Sequence, residues 1–201
     1  MKLRILFIGI LLLIAALPGF AQGWTASLEW GYAGTVVSSH DYQYTTLEGY
    51  HIDNRDTDFR YHSNGYAGIQ FGRDFKNGMN LSFCTGLYGI QYEIRSVPVG
   101  LRASWAFRRQ ADMAGWAGLV EAGIGLSDYD FRKNCEYARI GAMYRIPLGA
   151  GVRLRFLTAL QGSHTHPVPY NPYDDVAVDA DHLEYSNRIY AGLTVGIGLE
   201  F

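Results

Sequence analysis

The stretch Asn187–Phe201, NRIYAGLTVGIGLEF, alternates in polarity up to its last residue. Ile189, Ala191, Leu193, Val195, Ile197, Leu199 and Phe201 share one face of an extended chain, and Arg188, Tyr190, Gly192, Thr194, Gly196, Gly198 and Glu200 share the other. That two-residue period predicts a strand with one apolar side. Soluble sheets show the same pattern. Combined with an export signal at the other end of the chain, it reads as the closing strand of a membrane β-barrel, in which lipid-facing and lumen-facing residues must alternate.

Met1–Ala21 supplies such a signal. Lys2 and Arg4 precede the apolar run Ile5–Leu17, and Pro18, Gly19, Phe20 and Ala21 form a small-residue region, with cleavage expected after Ala21. The run is shorter than the ~20 apolar residues of a spanning helix. No cysteine follows it, which argues against a lipid-anchored N-terminus. The expected domain division is a signal peptide at 1–21 and one barrel at 22–201. Without its signal the chain keeps 15 basic against 19 acidic side chains, a net charge of −4. Such mild acidity, with no basic stripe, argues against nucleic acid as a partner. Mean hydropathy near zero does not argue against a membrane barrel, which devotes half of its strand residues to a polar interior.

Alternation and turn signals divide the mature chain into eight strands. The first runs from Trp24 to Val36 and is followed by a polar loop over 38–62. Strands at 65–75 and 79–87 flank the turn Lys76-Asn77-Gly78, and a brief connection over 89–95 leads to a strand ending at Phe107. A polar turn at 108–112 precedes a strand over 115–126, in which Leu119 is an apolar exception on the inward face. A charged loop at 127–136, a strand over 138–146, the turn 147–151 and a strand from Val152 to Gln161 follow. A second long loop at 163–185 leads into the terminal strand. Connections after even-numbered strands are short, and most loop length falls after odd-numbered ones, as periplasmic turns and outer loops require. The expected fold is therefore all-β: an eight-stranded antiparallel up-and-down transmembrane β-barrel in the outer membrane of a Gram-negative bacterium, surrounded by outer-membrane lipid and lipopolysaccharide. A soluble lipocalin-like barrel is the alternative, and it would reverse inside and outside.

At Arg95–Phe107, RSVPVGLRASWAF, and in the glycine-rich Leu119–Leu126, the chain resembles the small outer-membrane barrels of Bacteroidota that include PorT-like proteins. In layout it also resembles OmpX- and OmpA-type barrels. The resemblance implies fold and address, and carries over no active-site residue. Leu199 and Phe201 resemble the C-terminal signal read by the barrel assembly machinery during insertion.

Candidate chemistry is sparse. His62-Ser63-Asn64 invites comparison with lipid A deacylases, but adjacent strand residues point to opposite faces and cannot act as base and nucleophile. The second long loop carries His164, His166, Asp174, Asp175, Asp179, Asp181, His182 and Glu184, and the first carries His40, Asp41, His51, Asp53, Asp56 and Asp58, neither with calcium-loop spacing. No metal, cofactor or enzymatic role is expected. Cys84 and Cys135 are expected at different heights in the wall and unbridged. The distinctive polar set is luminal: Arg102, Arg139, Arg145, Arg153, Arg155 and Arg188 against Glu29, Glu121 and Glu200. A salt-bridged plug is expected from it, with a narrow anion-favouring path as the alternative. The expected role is structural or surface-interacting, with a possible surface protein partner contacting the tyrosine-rich loops at 38–62 and 163–185. A secretion-apparatus subunit and a lipid A-modifying enzyme are the remaining alternatives.

Overall fold

The computed structural model describes residues 23–91, 94–107, 113–126, 135–171, 176–179 and 181–201. The expected signal peptide, the turn at 108–112 and most of the loop at 127–136 lie outside them. The strands are β1 (Trp24–Thr45), β2 (His51–Asp74), β3 (Met79–Gln91), β4 (Ile94–Ala106), β5 (Gly115–Leu126), β6 (Cys135–Gly149), β7 (Val152–Thr165), a minor hairpin of β8 (Tyr170–Asn171) and β9 (Val176–Ala177), and β10 (Leu183–Glu200). Eight of them form a closed antiparallel ring in the order β1-β10-β7-β6-β5-β4-β3-β2. The last residue completes the seam, since Phe201 and Ala26 exchange backbone hydrogen bonds of 2.8 and 3.2 Å.

Register sets the size of the ring. From Gly34 the row of partners runs through Leu193, Leu160, Ile140, Val120, Ala103, Leu81 and Arg73, and returns to β1 at Trp24, ten residues from its start. Eight strands with that stagger tilt by roughly 40° and enclose a space that side chains fill. The pleat then sorts the sequence. Outside stand residues such as Leu101, Ile140, Leu160 and Leu193, each more than half exposed. Inside lie Ser27, Glu29, Gln70, Arg102, Glu121, Arg139 and Glu200, each at most 5% exposed. Leu119 is inward and fully buried, packed with Ala117, Met143, Leu157 and Ala159 as a small apolar patch of the lumen.

Aromatic residues concentrate on the outside towards the short-turn end. Trp24 stacks on Phe71 and Trp116 lies against Tyr144, both at 5.1 Å between ring centroids, and Trp105 pairs across from Met79. All four tryptophans of the chain, Trp24, Trp30, Trp105 and Trp116, are outward and 42–55% exposed.

The two described turns of that end are short, as expected, with Gly78 at φ 84° and Gly149-Ala150-Gly151 all at positive φ. The long-hairpin end differs from expectation. The polar stretch at 38–62 is not a loop: β1 and β2 stay paired from Ser38↔Asp58 to Thr45↔His51, past an irregularity at Thr35/Val37, leaving only residues 46–50 as the turn. The connection at 89–95 and the loop at 163–185 likewise shrink, because β3 reaches Gln91, β4 begins at Ile94, β7 reaches Thr165 and β10 begins at Leu183. In the β1–β2 extension, pairing continues where both faces are mostly polar, from Ser38 to Thr45 and from His51 to Asp58, so no alternation marks it in the sequence. Pro98 sits inside β4, and the β3–β4 ladder is interrupted between Thr85↔Val99 and Tyr88↔Ser96 before resuming in the same register.

Two luminal tyrosines lie over glycines of neighbouring strands. Tyr66 covers Gly31 and Gly196, and Tyr137 covers Gly100 and Gly123. A methyl group at Gly123 would meet the Gly100 Cα at 2.6 Å and the Tyr137 ring at 3.0 Å, whereas one at Gly115 meets nothing within 4 Å. Gly123→Ala is therefore expected to cost stability by about 1–3 kcal/mol, seen as a lower urea midpoint of the folded, fast-migrating gel band. Gly115→Ala should leave the midpoint in place.

Candidate functional site

The luminal charges of the sequence come together around Arg102. This guanidinium, on β4, reaches Glu29 of β1 at 2.7 Å and Glu121 of β5 at 2.6 Å, and all three side chains are 3% exposed. Its Nε also donates to Glu121 at 2.7 Å and its Nη2 to Glu29 at 3.1 Å. Glu29 accepts further bonds from Gln70 Nε2 at 2.9 Å and the Tyr66 hydroxyl at 3.2 Å. Arg139 of β6 lies 3.5 Å from Glu121 and donates to Gln161 at 3.1 Å. Its guanidinium is enclosed by the rings of Tyr88, Tyr66 and Tyr137 at 4.6, 5.2 and 5.5 Å. A delocalised, weakly hydrated cation suits such an aromatic cage.

A second group lies nearer the short-turn end. Arg155 bonds Glu200 at 2.9 Å and Ser27 at 2.7 Å, and stands 3.7 Å from Glu29, joining the two groups. Arg153 bridges Glu200 at 2.7 Å and Asp74 at 3.1 Å. Asn80 of β3 donates to Asp74 at 2.8 Å, and the Tyr88 hydroxyl of the same strand bonds Gln161. Every strand of the ring thus contributes to one polar network.

Two of the expected residues stand apart. Arg145 donates to Ser104 at 2.8 Å, and Arg188 donates to Ser38 at 3.2 Å near the opposite end, over the Tyr190 ring at 5.4 Å. Asp74, Gln70 and the three caging tyrosines are partners that the sequence reading did not single out. Tyr66, Gln70 and Tyr88 share the inward parity of their strands, which was the available signal; Asp74 closes its strand beside a turn. The cavity beside the Arg102 group holds about 20 Å³, room for a single water.

Elsewhere the candidate residues scatter. His62 pairs with luminal Thr35 and Ser63 with outward Gly34, so they face opposite sides of the wall. His164 stands 3.7 Å from Glu136 and bonds Asn187, while His166 bonds the Ser186 carbonyl at 2.8 Å. Asp174 and Asp175 lie outside the described residues. Cys84 and Cys135 are buried free thiols separated by β4 and β5.

No family model and no curated protein matches this chain. Among solved structures it is similar to neisserial surface protein A at 10% identity and TM-score 0.42, over 89% of this chain and 97% of that one. It is also similar to the outer-membrane protease OmpT of Escherichia coli at 9% identity and TM-score 0.39, over 92% and 98%. A third is Ail, the attachment invasion locus protein of Yersinia pestis, at 9% identity and TM-score 0.23, over 90% and 99%. The fold assignment rests on the closed register described above.

Arg102→Ala would leave Glu29 and Glu121 buried without their shared cation. A loss of about 3–5 kcal/mol is expected, measured as the urea midpoint of the refolded protein. The exposed Arg60→Ala should move it by less than about 0.5 kcal/mol.

Proposed function

We propose that this chain is an integral outer-membrane β-barrel without catalytic activity, whose lumen is a structural plug and whose long-hairpin end serves as a contact surface outside the cell. The observation that carries this reading is the inverted partition of the ring. Glu29, Arg102 and Glu121 are sealed inside, whereas Trp30, Leu101, Ile140, Leu160 and Leu193 stand 46–62% exposed around the outside. Ion pairs cost desolvation energy and need close partners inside a protein. A contiguous apolar belt needs an apolar surrounding, and a bilayer supplies it.

The filled interior favours a plug over an anion path. Five of the six luminal arginines are bonded through the guanidinium to a carboxylate or held by tyrosine rings, and the space beside Arg102 is water-sized. The opposite facing of His62 and Ser63 supports the non-enzymatic reading. Placement among the small barrels of Bacteroidota, close to the PorT-like kind, belongs to the same proposal and rests on the run from Pro98 to Phe107.

Membrane placement and orientation are tested together by cysteine labelling on intact cells, since both native thiols are buried. Thr57→Cys, on the long hairpin, should react with a membrane-impermeant maleimide, and Lys76→Cys, in a short turn, should react only after lysis. Labelling of Lys76→Cys in intact cells, or recovery of the protein in the soluble fraction, would contradict the proposal.

A further inference from the structure

Beyond the barrel wall, β2 keeps a partner on one edge only. It pairs with β1 as far as His51, but with β3 only from Tyr66 to Asp74, so among the described residues the other edge of 51–63 carries no strand. Phe59 and Tyr61 on this run are 80% and 69% exposed. The backbone direction is legible from one bond. The Thr57 N–H donates to Asp56 Oδ1 at 2.7 Å, outside the β1 ladder. Ser39 and Thr57 sit directly opposite, with hydroxyls 3.0 Å apart, as in the narrow, non-hydrogen-bonded pairs of an antiparallel ladder. Strand alternation then turns the N–H and C=O groups of Arg55, Thr57 and Phe59 towards the open edge.

Charge selects the occupant. The protruding sheet formed by 37–61 and 183–190 carries Asp41, Glu48, Asp53, Asp56, Asp58 and Glu184 against Arg55, Arg60 and Arg188, a net −3. A second copy would meet like charge, and an acidic segment would be repelled. We infer that the open edge of β2 binds an extended, basic segment of a partner protein by strand addition, the partner's carbonyl replacing the Asp56 carboxylate on the Thr57 N–H and its lysine or arginine pairing with the freed carboxylate. Until then the Asp56 carboxylate guards the edge against indiscriminate pairing. The inference rests on the outward placement proposed above; the intact-cell labelling at position 57 tests that placement separately.

The test uses the full mature protein folded in detergent and two fluorescent peptides, one alternating lysine with valine and one alternating glutamate with valine. The lysine peptide should bind, the glutamate peptide should not, and Thr57→Pro, which removes one outward N–H, should weaken binding by roughly tenfold or more while the folded gel band is retained. Should Thr57→Pro fail to fold, amide exchange on the unmodified protein serves instead: the lysine peptide should protect the amides of residues 55, 57 and 59. Equal binding by Thr57→Pro, absence of that protection, or no binding of the lysine peptide would overturn the inference. So would cross-linked dimers of the protein that Thr57→Pro abolishes, which would make the occupant a second copy.

Discussion

A guanidinium held between two carboxylates in a sealed ring is the interaction on which the rest of this structure depends. Arg102 can be buried only because Glu29 and Glu121 approach within 2.7 Å from two other strands, and they do so only in one register. Since a slip of one residue would turn every side chain of a strand to the opposite face, the ion pairs and the apolar exterior specify the same alignment. Glycines opposite Tyr66 and Tyr137 add a steric form of the same demand.

How much of this the sequence discloses follows from where the chemistry alternates. Ile189–Phe201, Leu101–Phe107 and Val120–Leu126 declare their faces because one side is apolar and the other small or charged. Leu119 breaks the pattern as a single residue, and its explanation, the luminal patch with Met143 and Leu157, needs three strands at once. The hairpin over 38–62 was illegible as a hairpin, since both of its faces are polar and period two leaves no trace. Inward charges could be listed from the sequence, but their partners could not, because Glu29 and Arg102 are 73 residues apart. Asp74 was missed for a simpler reason: it sits at a strand end beside a turn signal, where an acidic residue reads as solvated.

The two halves of the molecule differ in what they bury. In the wall the luminal polar residues bond one another, from Glu29, Arg102 and Glu121 to Arg155 and Glu200. The extension above it leaves several large apolar and aromatic side chains unburied: Phe59, Tyr61, Tyr50 and Leu47 are 65–80% exposed. Under the proposed function, the apolar belt below anchors the protein and the exposed, acidic edge above contacts a partner.

The central claim, that the apolar face of the ring meets lipid, is tested most directly by the native tryptophans, all four of which point outward. After refolding into vesicles, their fluorescence should be strongly quenched by lipids brominated along the acyl chain and little affected by aqueous iodide. Quenching by iodide with no effect of the brominated lipids would place the belt in water and contradict the account.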